Sequence, residues 1–248
     1  LDEEAYGRAT SVYFPERAIH MLPEALAAGA CSLVPNKDRL TMTAILDFDE
    51  QGAPAAARFS ESVIRSDRRM TYTQIKRILV DRDEALRKDH EQLLPRFELM
   101  GELARKLIAR RAERGGLDFD LPEPIIKLDE HGVVEDIVPS QRNVAHRIIE
   151  EFMIAANEAV AQFLHDEGEP AMYRNHEPPS ADRVEAFRQA AKVFGHDLKG
   201  GEGPAPKDFQ RVIAASAGRP EEAFLQTLAL RTMSLARYEA DMRGHFGL

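Results

Sequence analysis

The chain has 248 residues, of which 44% are hydrophobic and 30% charged, so it can bury a sizeable core in one large domain or two small ones. A net charge of −9 argues against a broadly basic, nucleic-acid-coating surface and leaves room only for a local basic path. One cysteine, Cys31, excludes an intrachain disulfide and a cysteine-built zinc site, and points to a reducing, cytoplasmic setting.

No apolar run approaches the roughly 20 residues needed to span a bilayer. The opening LDEEAYGRAT is acidic and polar, unlike a signal peptide. It lacks an initiator methionine, and the sequence stops at GHFGL, so the expectation is an excerpt of something longer. Residues 11–34 read as a short extended piece followed by a compact loop-helix, punctuated by Pro15, Pro23 and Pro35. Residues 39–49 alternate apolar and polar, and 55–68 do so more weakly. The turn Glu50-Gln51-Gly52 between them predicts a β-hairpin. Thr71 or Thr73 is placed to cap a helix over 72–80. A long amphipathic helix is expected over 89–113, ended by Gly115-Gly116. Residues 117–138 read as β, interrupted by Pro122 and Pro124 and turned at Glu130-His131-Gly132. The strongest helix spans 142–166 and is apolar on two faces, which marks it as central. Helices are expected at 181–195, 206–217 and 220–238. Strands and helices are partly segregated, so the fold class is α+β, a small mixed β-sheet with a large helical portion.

General chemistry marks no active site. There is no nucleotide-binding glycine motif and no nucleophile elbow. Gly200-Gly201-x-Gly203 lacks the strand and helix spacing of a phosphate loop and reads as an ordinary turn. The eight histidines lack metal-site spacing. Acidic pairs occur at Asp47/Asp49, Asp118/Asp120, Glu150/Glu151 and Glu221/Glu222. Asp47 and Asp49 share a strand face, where a solvated hairpin end is the plainer explanation than chelation. Glu150 and Glu151 diverge by about 100° on a helix, so they do not share a metal, though one of them can pair with Arg147 or another base. Arg65, Arg68, Arg69, Lys76 and Arg77 form one basic stretch and Arg105–Arg114 another; either can track phosphates or form a charge-balanced surface. Tyr13, Phe14, Tyr173 and Phe209 are the aromatics to weigh as base-stacking platforms or as core.

Several long strings carry a resemblance: GRATSVYFPERAIHMLPEALAAGACSLVPN over 7–36, then RFSESVIRSDRRMTYTQI, ERGGLDFDLPE, QRNVAHRIIEEFMIAANEAVAQFL, PAMYRNHEPPS, LQTLALRTMSLARYEA and GHFGL. They resemble, in order and over nearly the whole chain, the ribonuclease II/R (RNB) family, nearer its ribonuclease R branch. The resemblance implies part of a processive, hydrolytic 3′→5′ exoribonuclease that degrades single-stranded RNA to nucleoside 5′-monophosphates at a buried Mg²⁺ site, with no preference for DNA and no membrane role. It implies that Tyr13 packs near the terminal nucleotide and that Glu202 contacts the RNA sugar. The family's base-clamp phenylalanine falls at Pro170, with Tyr173 close by as a substitute. Arg174 and His176 of the YRNHE segment are implied to lie near RNA. The family's Asp-rich metal block belongs upstream of residue 1 and its Ser-Pro-Ile-Arg segment beyond residue 248. No catalytic residue and no metal ligand is therefore expected within the chain, which alone should be inactive. Two other readings stand beside this one: an inactive RNB-like module that binds RNA or a protein, and a helical interaction domain. The second fits poorly with matches in loops such as SVYFP.

Overall fold

A computed structural model describes residues 2–119, 124–140, 142–201 and 203–247. Helix α1 (Asp2–Arg8) precedes a short ribbon, β1 (Val12–Tyr13) against β2 (Ala18–Ile19). A π-helical turn at Ala25–Ala30 leads to the hairpin of β3 (Asp38–Phe48) and β4 (Pro54–Arg65). Next come α2 (Tyr72–Leu79), α3 (Glu84–Asp89) and α4 (Leu94–Arg114), then the hairpin β5 (Pro124–Leu128) and β6 (Val134–Pro139). The 23-residue α5 (Val144–Asp166) follows. Strand β7 (Tyr173–Asn175), helices α6 (Ala181–Val193), α7 (Pro206–Ser216) and α8 (Glu222–Thr232), and strand β8 (Arg237–Glu239) complete the order. The fold is α+β. Among the described residues the strands form separate two-stranded ribbons, β1–β2, β3–β4, β5–β6 and β7–β8, and not one mixed sheet. No helix is long and apolar enough to cross a membrane among the described residues.

One helix lies where the sequence carried no expectation, and three local outcomes differ from one. Residues 2–8 are helical, with Asp2, Glu3 and Glu4 in the first turn and Arg8 in the last, charges that complement the helix dipole. The long helix expected from 89 is broken: α3 ends at Asp89, Glu91–Leu93 forms a 3₁₀ turn, and α4 starts with Pro95 in its first turn. Proline lacks the N–H and crowds the preceding turn, so it opens a helix and does not continue one. The helix expected over 220–238 stops at Thr232, where Met233 turns extended. Ser234 Oγ then donates to Pro178 O at 2.9 Å, and Arg237–Glu239 becomes a strand. Pro124 opens a strand and does not break one; Pro122 lies outside the described residues.

The chain divides into two units. The first comprises residues 1–45, 57–92 and 122–146. Its α2 is fixed by a capping box: Gln74 N–H donates to Thr71 Oγ1 at 3.2 Å, and Thr71 N–H donates back to Gln74 Oε1 at 2.9 Å. Ile78 of α2 is fully buried, and Arg87 Nη1 of the next helix donates to its carbonyl at 3.1 Å. Asp83 caps α3 by accepting from Leu86 N–H at 3.0 Å. That amide, followed by Arg77, holds the Asp83 carboxyl below its usual range.

The second unit comprises residues 46–56, 93–121 and 147–248. Its core gathers Leu117, just past α4, with Val184, Phe187, Ala191, Leu198, Phe209, Val212, Leu225, Ala229 and Met233 from α6, α7, α8 and their connections. Phe187 and Phe209 are fully buried with ring centroids 5.2 Å apart. Burying such a side chain contributes about 1.5–3 kcal/mol. Gly115 ends α4 in the left-handed region, φ 95°. Leu117 N–H donates to Gly247 O at 3.1 Å, which joins the end of α4 to the last described residue. Gly52, at the tip of the β3–β4 hairpin, has φ 79°, and a β-carbon there would sit 2.8 Å from Lys106 Cβ. Only glycine fits that approach.

Candidate nucleic-acid interface

The four aromatics weighed from sequence separate into two pairs. Tyr13 is 77% exposed and Phe14 46%, whereas Tyr173 is 9% exposed and Phe209 fully buried. Tyr13 sits in β1, opposite Ala18. Its ribbon is closed by Phe14 N–H donating to Arg17 O at 2.8 Å and braced by Met21 N–H donating to Ser11 Oγ at 3.0 Å. Arg17 lies over the Phe14 ring, 6.0 Å from its centroid. The SVYFP segment therefore presents two rings and a guanidinium from the first unit.

Tyr173, Arg174 and His176 come together in the second unit, on and just after β7. The β7–β8 register pairs Tyr173 with Glu239, Arg174 with Tyr238 and Asn175 with Arg237. Alternation along the strand buries Tyr173 and Asn175 and turns Arg174 outward. The Tyr173 ring is thus packed and not offered to a base. Asn175 is 4% exposed and fully used: Nδ2 donates to Glu239 Oε2 at 3.0 Å and to Asp241 O at 2.7 Å, and Oδ1 accepts from Arg243 N–H at 2.9 Å. The Arg174 guanidinium lies 5.5 Å from the centroid of the Tyr238 ring.

His176 is bonded at both ring nitrogens. Gly247 N–H donates to Nδ1 at 3.2 Å, so Nδ1 carries no proton, and Nε2–H donates to Ser234 O at 2.8 Å. The backbone continues this attachment: His176 N–H donates to Gly244 O at 3.1 Å and Phe246 N–H to His176 O at 2.8 Å. Residues 244–247 are strapped to the end of β7. His245 stacks at a tilt on His176, centroids 4.7 Å apart, and its buried Nδ1 has no partner among the described residues. Burial, followed by the fields of His176 and Arg174, holds His245 below the usual histidine range.

Glu202 lies outside the described residues. Its neighbours Gly200 and Gly201 both have positive φ, 95° and 58°, as a turn requires. Arg188 holds that turn from α6, bonding Gly201 O and Leu198 O. Asp208 Oδ2 accepts from Ala205 N–H at 2.9 Å on its other side.

The basic stretches are largely charge-balanced. Arg65 pairs with Asp38 at 2.7 Å, Lys76 with Asp81 at 2.9 Å and Arg77 with Asp83, while Arg68 and Arg69 have no ion pair among the described residues. On α4, Lys106 pairs with Glu102 at 2.8 Å and Arg114 with Glu158 at 3.3 Å. Arg111 is buried against Glu151 at 2.7 Å. Asp49 accepts from Gln51 N–H at 2.9 Å and Ala53 N–H at 2.7 Å, closing the hairpin turn. Asp120 lies outside the described residues. No group of three His, Cys, Asp or Glu side chains converges to hold a metal ion among the described residues.

Two exposed tyrosines within the strings that carried the resemblance escaped the sequence reading. Tyr72, half exposed, stacks on His146 with centroids 4.0 Å apart and planes 26° from parallel. Tyr238 is 64% exposed. Both lie inside strings that carried the resemblance, RMTYTQI and LARYEA, and hydropathy alone does not separate an exposed tyrosine from a core one.

The RNB domain family matches residues 1–248; the chain belongs to it. Within that family the likeness is to ribonuclease R. That of Aquifex aeolicus is 46% identical over 247 residues, covering all of this chain and 35% of the relative. That of Escherichia coli K12 is 40% identical over 248 residues, covering all of this chain and 30% of the relative. The structure of Mycoplasma genitalium RNase R in complex with ribose methylated single-stranded RNA superposes with a TM-score of 0.90 at 25% identity, over 99% of this chain and 38% of that one. The chain thus spans about a third of the length of the curated relatives it matches.

Proposed function

We propose that the chain is the substrate-handling part of a processive, hydrolytic 3′→5′ exoribonuclease of the ribonuclease R type, which acts in the cytoplasm on single-stranded RNA and releases nucleoside 5′-monophosphates. The observation that carries this reading is the close superposition, over almost the whole chain, on an RNase R holding single-stranded RNA. Tyr13, exposed on a braced ribbon, packs against the terminal nucleotide, and Arg174 faces RNA from β7. Glu202, which the resemblance sets against the RNA sugar, accepts from a ribose 2′-hydroxyl, which distinguishes RNA from DNA. Tyr173 and His176 serve Arg174 from behind, by fixing the ribbon that presents it. Magnesium, which activates water and stabilises the leaving oxygen in such chemistry, is held by carboxylates supplied outside these residues. The 248 residues alone therefore release no nucleotide.

Mg²⁺-dependent digestion of a 5′-labelled single-stranded RNA tests this, with the chain and the full-length gene product side by side. Trimming from the 3′ end to a short labelled remnant by the full-length protein alone supports the reading. Nucleotide release by the chain itself would overturn the division of labour. No trimming by either would favour an inactive RNB-like module that only binds RNA or a protein.

A further inference from the structure

Two cations of the β7–β8 ribbon, Arg174 and Arg237, form no ion pair among the described residues, and of the two it is Arg174 that lies over an aromatic ring. Arg243, at its end, lies 3.8 Å from Glu177, 3.5 Å from Glu239 and 3.6 Å from Asp241. Arg174 has no carboxylate within ion-pair distance among the described residues. Its contacts are the face of the Tyr238 ring at 5.5 Å and a long hydrogen bond from Nη1 to Tyr238 Oη at 3.5 Å. Most of its five donors are left open. The two residues are direct cross-strand partners, so their side chains share the outward face. Behind them, the three hydrogen bonds of buried Asn175 lock the ribbon.

We infer that Arg174 and Tyr238 form a stacking platform for one base of a single RNA strand, with the guanidinium also donating to the adjoining phosphate. This rests on the RNA-handling function proposed above and adds to it a residue, Tyr238, and a kind of contact. A planar guanidinium held over a tyrosine face is itself a flat surface on which a base stacks. A strand of any sequence is tolerated, because every base has a π-face. Preorganisation of both side chains by the ribbon lowers the ordering cost of binding.

The test uses the full-length gene product and a single-stranded RNA in EDTA, so that binding is read without cleavage. Tyr238→Leu and Arg174→Ala each weaken binding about tenfold, within the range of one lost base stack. Arg237→Ala removes the same charge from the opposite face of the ribbon and changes binding by less than about twofold. Arg174→Lys keeps the charge, loses the planar surface and behaves like Arg174→Ala. An abasic scan of the strand adds a readout that loss of structure does not imitate: one position weakens the wild type, and Tyr238→Leu abolishes that sensitivity. If the wild type binds RNA while both ribbon variants bind within twofold of it, the platform is wrong and the RNA-handling function stands. If the wild type does not bind RNA, both fail together.

Discussion

Arg111 of α4 and Glu151 of α5 share one oxygen: Nε and Nη2 of the arginine donate to Glu151 Oε1 at 2.9 and 2.7 Å, with both side chains buried. Removing one member strands the other in a low-dielectric interior. Glu150 lies 3.7 Å from the same guanidinium and compensates in part when Glu151 is lost. Arg111→Ala, which leaves Glu151 alone, is therefore the harsher change. It should cost about 3–5 kcal/mol, and Glu151→Gln should cost less, both read from urea midpoints. Equal midpoints for wild type and Arg111→Ala would remove this pair from the list of stabilising contacts.

Gly52→Ala places a methyl 2.8 Å from Lys106 Cβ in a backbone with φ 79°. Both effects oppose the hairpin tip seated on α4. A loss of about 1–3 kcal/mol is expected, with amide exchange rising first in residues 46–56. Gly132→Ala is the control, since its φ of 77° carries the same backbone strain with nothing in the way of the methyl. The difference between the two isolates the packing term.

The strap at 244–247 should loosen in acid. His245 titrates below its unfolded value near 6.5, so the unfolded form binds more protons between those two pKa values. Stability then rises with pH across that window. The strap is fully held above the unfolded value and weakens as pH falls toward the folded one. Hydrogen exchange at the Phe246 and Gly247 amides, followed from pH 7.5 to 5, should accelerate beyond the intrinsic rate in the wild type. In His245→Gln the excess should vanish, and a pH-independent excess in the wild type would refute the assignment.

Thr71→Ala removes the hydroxyl that accepts from Gln74 N–H. The expected cost is about 1 kcal/mol, and Thr71→Ser should recover most of it. A thermal melt of the three proteins decides the matter.

Much of the fold was legible because local rules governed it. Thr71 was one of two threonines read as a helix cap, Gly115 marks a left-handed helix end, and Glu50-Gln51-Gly52 a hairpin turn, each within a few residues of sequence. The β7–β8 ribbon was illegible for the opposite reason. Its strands are three residues long and their partners lie 64 positions apart, as in Arg174 and Tyr238, while LQTLALRTMSLARYEA keeps a helical spacing of apolar residues past the point where Met233 turns extended. At the candidate interface, family likeness located Tyr13 and the YRNHE segment, but not what their side chains do. His176 was expected beside RNA, and both its ring nitrogens bond within the chain, to Ser234 and Gly247, a contact no local rule foretells. Tyr173 and Arg174 are neighbours in sequence with opposite fates, which strand alternation dictates once a strand is known to exist. Arg111 and Glu151 are 40 residues apart, so the sequence offered Glu151 a choice of bases that only packing resolved.

The hydrogen bond from Leu117 to Gly247 spans 130 positions. A ribosome delivers the end of α4 long before it delivers the strap, so the second unit holds an unfinished edge while α5 to α8 are still being made. Loop closure over such a separation is slow compared with helix formation. The nascent chain therefore passes through a stage in which the core around Phe209 lacks its cover from Phe246, the stage most open to chaperones and to misassociation.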